Sequence, residues 1–161
     1  DLTRSRGLGD VYKRQLGTSG GDKNTPQSIN LGSGRTATSI YAGGNYNCAI
    51  LDDTSVKCWG HNNEGQLGIG SQINTNTPST INSLGSGRTA VTLATAFNSV
   101  CALLDDGSVK CWGANHQGQL GNSGSGSRLT SPPSSAIDLG SGRTAKAITG
   151  GETHFLSLIH I

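Results

Sequence analysis

The chain has 161 residues with a formal charge of +2, 14% charged residues, 25 glycines, four cysteines and two tryptophans. The charge comes from the first fifteen residues alone, because 16–155 carry eight Lys/Arg against eight Asp/Glu. A basic footprint for nucleic acid or an anionic membrane is therefore excluded, and no apolar run is long enough to insert into a bilayer.

Residues 1–15 read as something other than native protein. One choice of codons for Asp10–Gln15 (DVYKRQ) has as its reverse complement a set of codons for Leu156–Ile161 (LSLIHI). Unrelated termini have no reason to be encoded by complementary strands, whereas a DNA fragment flanked by inverted copies of one adapter would be. Residues 1–15 and 156–161 are therefore expected to be translated sequencing adapter, to be set aside before the fold is considered. This leaves 16–155 as a fragment of a longer chain. The bland alternative, a real basic N-terminus and a real apolar C-terminal strand, leaves the complementarity unexplained.

Within 16–155 the governing feature is an internal repeat. LGSGRTA stands at Leu31–Ala37, Leu84–Ala90 and Leu139–Ala145, and SVKCWG stands at Ser55–Gly60 and Ser108–Gly113. Units are expected at 31–83 and 84–138, with the end of an earlier one at 16–30 and a truncated one at 139–155. In the first full unit, Thr38–Ala42 is a predicted strand. A hairpin follows, with Ala49–Leu51 and Val56–Trp59 either side of Asp52-Asp53-Thr54. Gly60, Gly65 and Gly68 punctuate its exit, and Pro78–Ile81 reads as an edge strand, where proline is tolerated. The second unit repeats this with a strand at Val91–Thr95 and an Asp105-Asp106-Gly107 turn, a strong hairpin signal. The segments between GQLG and LGSGRTA vary in length and carry Pro26, Pro78, Pro132 and Pro133, as loops do. Three or four antiparallel strands in each repeat of 53 to 55 residues indicate an all-β partial propeller of about two to three blades.

The cysteines flank each hairpin at equal separation: Cys48 and Cys58, then Cys101 and Cys111. A three-residue turn with Thr54 or Gly107 in the left-handed region sets each pair face to face at near-disulfide distance, whereas a two-residue turn sends the members to opposite faces. Structural disulfides are the favoured reading because both members recur, and an extracellular or periplasmic location would follow. The alternative is that they are small buried apolar groups. Zinc fits poorly, since the spacing is not C-x-x-C and no histidine accompanies each pair.

The pattern Ala102-Leu103, Gly107, Val109, Trp112-Gly113, Asn115, Gly118-Gln119-Leu120-Gly121 resembles the regulator of chromosome condensation repeat family. Ala49, Val56, Trp59-Gly60, Asn62 and Gly65-Gln66-Leu67-Gly68 match it too, with Ile50 and Thr54 as departures. The family's G-x-x-H is met at Gly151 and His154, while Tyr46 and Ser99 replace the histidine. The resemblance implies a seven-bladed ring, of which this chain would be a part. Trp59, Trp112, Leu67 and Leu120 are expected in the blade core.

Other candidates weigh less. Arg35, Arg88 and Arg143 either contact a partner or tie adjacent blades together. The Asp52-Asp53 and Asp105-Asp106 pairs suit turn positions better than catalysis or calcium. LGSGR lacks the G-K-[ST] of a phosphate loop. His61, His116 and His154 fall in three different repeat contexts and assemble no catalytic constellation. No cofactor is implied. The expected function is a non-enzymatic interaction scaffold for a protein or cell-surface partner. The alternatives are an accessory binding domain of a secreted enzyme and, less favoured, a guanine-nucleotide exchange factor for a small GTPase.

Overall fold

A computed structural model of the chain describes residues 28–122, 126 and 128–160. The adapter and repeat-end expectations for 1–15 and for 16–27 lie outside the described residues. Nine strands occur among the described residues, in chain order: β1 (Ala37–Ala42), β2 (Tyr46–Leu51), β3 (Val56–Gly60), β4 (Thr75–Thr80), β5 (Ala90–Thr95), β6 (Ser99–Leu104), β7 (Val109–Gly113), β8 (Thr144–Gly150) and β9 (Phe155–His160). They form three antiparallel sheets with orders β1-β2-β3-β4, β5-β6-β7 and β8-β9. These are blades of a partial propeller. Successive blades meet through their first strands, β1 with β5 and β5 with β8, and β6 also packs against β8. Tyr41 Oη and Thr92 Oγ1 lie 3.0 Å apart there, and Thr95 Oγ1 donates to the Ala42 carbonyl at 2.8 Å.

Each hairpin turns through three residues, because Thr54 (φ 67°) and Gly107 (φ 78°) take the left-handed conformation. That choice sets the register Cys48↔Cys58 and Cys101↔Cys111. The even-numbered side of β2 then faces the next blade and the odd-numbered side faces away from it. One core accordingly joins Cys48, Ile50, Val56, Cys58 and Leu67 of the first blade to Leu93, Val100, Ala102 and Trp112 of the second. A second core joins Cys101, Leu103, Cys111 and Leu120 to Ala145, Ile148 and Phe155 of the third. Trp59, Ala49 and Leu51 pack against Ile29 and Leu31.

The fourth strand needs correction. β4 is longer than the expected edge strand and contains Pro78, but its counterpart in the second blade is reduced to a single bridge, Gly113↔Leu129. Pro132 and Pro133 occupy that stretch and have no N–H to donate. Residues 156–160, expected as adapter, form β9 together with Phe155 and pair with β8.

Candidate functional site

The strands give each blade two chemically different ends. At the turn end stand the LGSGR segments and the turns from each blade's second strand to its third; at the loop end stand the connections from the first strand to the second and those that follow the third.

At the turn end Arg35 and Arg88 neither bridge blades nor stand unpaired. Arg35 Nη1 lies 3.4 Å from Asp52 Oδ2 and 3.2 Å from Asp53 Oδ2, and Arg88 repeats this with Asp105 and Asp106 at the same distances. Both clamps therefore close within a blade, which corrects the expectation of an inter-blade tie. Asp52 Oδ1 also accepts from Thr36 N at 3.2 Å, and Asp105 Oδ1 from Thr89 N at 3.1 Å. Asp53 Oδ1 accepts from Ser55 N and Oγ, and Asp106 Oδ1 from Ser108 N and Oγ. The serine hydroxyl is the chief reason that the Asp53 and Asp106 carboxyls ionise below the ordinary aspartate range; the arginines add to it. Arg143 occupies the same place in the third LGSGR, where the positions equivalent to Asp52 and Asp53 are His160 and Ile161.

The cysteines of each hairpin lie directly opposite, with Cα atoms 4.1 Å (Cys48, Cys58) and 4.0 Å (Cys101, Cys111) apart and their sulfurs at bonding distance. All four are buried, on the side of the blade that meets the next one. Trp59, Trp112, Leu67 and Leu120 are likewise buried. Trp112 does more than fill space: its Nε1 donates to the Gln66 carbonyl of the preceding blade at 3.1 Å. Gly68 lies beneath the indole, and a Cβ there would stand 2.7 Å from Nε1.

The loop end holds residues that sequence reasoning missed. Tyr46, fully buried, sends its hydroxyl across the blade boundary, 2.6 Å from the Ser99 carbonyl and 2.9 Å from that of Ala96. Burial pushes its phenol well above the ordinary tyrosine range. Gln66 Nε2 donates to Asn98 Oδ1 of the next blade at 3.0 Å. Asn62 and Asn115, the motif asparagines, are buried and accept from Leu67 N and Leu120 N. The short β1–β2, β5–β6 and β8–β9 loops are joined in series, Gly44 N donating to the Phe97 carbonyl and Phe97 N to that of Glu152. Farther along the same end, Glu64 Oε2 lies 3.0 Å from His116 Nε2 and 3.3 Å from Arg128 Nε, again across the boundary. The available signal was spacing: Tyr46 and Ser99 stand 53 residues apart, one repeat.

Phe97 (49% exposed) and Ile73 (74%) present apolar surface at this end. His61 Nδ1 lies 3.1 Å from Gln66 Nε2, and His154 stands over Gly151, so the three histidines serve three separate local roles. No cluster of three or more potential metal ligands occurs among the described residues.

Residues 55–103 match the regulator of chromosome condensation (RCC1) repeat, and a second description of that repeat matches 37–66 and 96–119. The chain is 33% identical over 121 residues to the E3 ubiquitin-protein ligase HERC2 of Homo sapiens, covering 75% of this chain but 2% of that protein. The solved structure of human WBSCR16 superposes with a TM-score of 0.73 at 19% identity, over 86% of this chain and 34% of that one. Yeast RCC1 (Prp20, Saccharomyces cerevisiae) gives 0.62 at 25% identity, over 74% and 29%. The chain thus spans a small part of the relatives it matches. Repeat pattern, blade architecture and sequence similarity agree, and the chain belongs to the regulator of chromosome condensation (RCC1) repeat family.

Proposed function

We propose that the chain is a non-enzymatic binding module that engages a protein or cell-surface partner through its loop end, in an oxidising compartment outside the cytosol. The observation that carries the reading is the pairing of exposed Phe97 and Ile73 with a rigid polar frame. The frame consists of the Gly44–Phe97–Glu152 rungs and the Glu64–His116–Arg128 cluster. Aromatic and arginine groups on a fixed backbone are the usual anchors of protein recognition. Relatives agree with a protein partner: yeast RCC1 has been solved bound to Kap60, and its binding to Gsp1p and histones has been described. The buried cysteine pairs favour the oxidising compartment. Net neutrality of 16–155 weighs against a chromatin-associated exchange factor.

The test places a photo-crosslinking phenylalanine analogue at Phe97, at the loop end, and separately at Thr54, at the turn end. Crosslinking in extracellular or periplasmic extract should yield a discrete protein adduct from position 97 and none from position 54. Equal labelling from both ends, or none from either, would remove the proposal.

A further inference from the structure

Gln66 is fully buried at the boundary between the first two blades, and a neighbour that can only donate dictates the orientation of its amide. Glu64 N gives its hydrogen to Gln66 Oε1 at 2.9 Å, so the oxygen faces Glu64 and the NH2 faces the other way. There Nε2 meets two acceptors, Asn98 Oδ1 of the next blade at 3.0 Å and His61 Nδ1 at 3.1 Å. Both amide hydrogens are thereby used. The histidine is fixed as well: Nδ1 accepts only when it is unprotonated, which assigns His61 as the neutral tautomer with its hydrogen on Nε2. The repeat does not duplicate this arrangement. Gln119 is oriented as Gln66 is, with Gln117 N donating to its Oε1 at 2.9 Å, but Ala114 stands in the place of His61. Nor does an acidic neighbour offset a charge on the ring. His61 has no ion pair among the described residues, and the Glu64 carboxylate is turned to His116 Nε2 and Arg128 Nε. Tyr46, next to the Asn45 carbonyl that accepts from His61 N, keeps its buried phenol protonated.

We propose that His61 is an acid-released latch on the loop end. Protonation places a hydrogen on Nδ1, facing the Gln66 NH2, and a donor then confronts a donor. Two responses are open to the structure. In one, the half-buried imidazolium swings out and leaves a hydrogen of the buried amide without its acceptor. In the other, the Gln66 amide turns over to offer Oε1 to the ring, which sets Nε2 against Glu64 N and ends the bond to Asn98. Both cost hydrogen bonds that only the neutral ring preserves, so the latched form carries one proton fewer than the released form. Lowering the pH from about 8 to about 5, the range in which histidine changes charge, therefore favours release. The same step adds a positive charge beside the Phe97 loop, which Asn98 continues. His116 acts in the opposite sense, because its protonation strengthens the contact with Glu64. Control of partner binding by pH rests on the loop-end reading above; the latch itself does not.

The test is an NMR titration of the full chain with isotope-labelled imidazole rings and side-chain amides. His61 is identified by its loss from the spectrum of His61→Ala, a variant that copies Ala114 of the second blade. At the alkaline end His61 should show the Nε2–H tautomer. On acidification the two Gln66 amide protons should shift along the same curve as the His61 ring, and in His61→Ala they should stay still. His116→Gln separates the second histidine and should leave the two signals linked. An Nδ1–H tautomer at the alkaline end, or Gln66 signals that ignore the titration of His61, overturns the proposal. The yield of the adduct from position 97 should change about fivefold or more across the titration, and not in His61→Ala. An equal yield at both ends would remove the regulatory role. No adduct at either end would remove the loop-end reading, and the latch would still be decided by the Gln66 signals.

Discussion

Replacing Tyr46 by phenylalanine removes a single oxygen from the boundary between the first two blades. That oxygen lies 2.6 Å from the Ser99 carbonyl and 2.9 Å from the Ala96 carbonyl, and the side chain around it is fully buried. The Ser99 carbonyl keeps another partner, since it also accepts from Ala96 N. Among the described residues the Ala96 carbonyl accepts from the Tyr46 hydroxyl alone, and the substitution removes that donor. A buried hydrogen bond contributes about 1 kcal/mol net, and stranding a buried carbonyl adds about 1–2 kcal/mol. The expected loss is therefore about 2–3 kcal/mol, or about 4–10 °C in Tm for a chain of this size. Urea unfolding followed by tryptophan emission is the assay, because Trp112 belongs to the same core as Tyr46. Tyr41→Phe serves as a control: its hydroxyl meets only Thr92 Oγ1 in a half-buried setting and should cost under about 1 kcal/mol. A Tyr46→Phe loss below about 0.5 kcal/mol would refute the reasoning, since surface substitutions produce as much.

Replacing Cys48 and Cys58 together by alanine should cost about 2–3 kcal/mol for the ten-residue loop, and the Cys101–Cys111 replacement should match it; non-reducing peptide mapping establishes the pairing. The Asp106 carboxyl is depressed chiefly by Ser108, so Ser108→Ala should move its titration, followed by NMR, back toward the ordinary aspartate value. A depressed folded pKa stabilises above the unfolded value of about 4 and is lost as pH falls through the folded one, so the wild-type turn end should weaken only in acid. Gly68→Ala sets a Cβ 2.7 Å from the Trp112 indole nitrogen and should cost about 2–4 kcal/mol by overpacking plus backbone strain. Gly121→Ala meets nothing nearer than 3.6 Å and should cost only the backbone part, about 1–2 kcal/mol; equal losses for the two glycines would mean that the indole does not rest on Gly68.

The fold was readable because the repeat samples one local design more than once. A three-residue turn at Asp52-Asp53-Thr54 is ambiguous alone, but Gly107 at the equivalent position marks the left-handed residue, and the cysteine register follows from it. The fourth strand was harder, since its pairing depends on N–H groups that Pro132 and Pro133 lack, and proline tolerance at an edge does not say how much pairing survives. The pairing of Arg35 and Arg88 within their own blades was not legible for another reason. Their partners lie 17 residues away on an adjacent turn, a distance that neither periodicity nor motif spacing reports. Tyr46 was noted only as a departure from the family histidine, although the substitution places a longer hydrogen-bonding side chain at a blade boundary.

Repetition also separates structural chemistry from recognition within this one chain. At the turn end, Arg35 with Asp52 and Asp53 is duplicated by Arg88 with Asp105 and Asp106 at identical distances. Charges matched inside each blade have little left to offer a partner, and a surface that is the same on successive blades cannot by itself single out one binding register. At the loop end the equivalent positions are Gly44, Phe97 and Glu152: one without a side chain, one aromatic, one acidic. Their backbones are nevertheless joined in one hydrogen-bonded series. A constant main chain carrying unlike side chains is what a repeat must present if one ligand is to be held in one orientation, since specificity is a difference between competing poses. Exchanging Phe97 for glycine would make two successive rungs alike and leave the frame intact. Such a variant should keep its stability to within about 1 kcal/mol, because Phe97 is half exposed, and lose the partner captured by the same photo-crosslinking analogue placed at Ile73 of the loop end. Loss of folding instead would mean that this ring supports the blades and that recognition resides elsewhere.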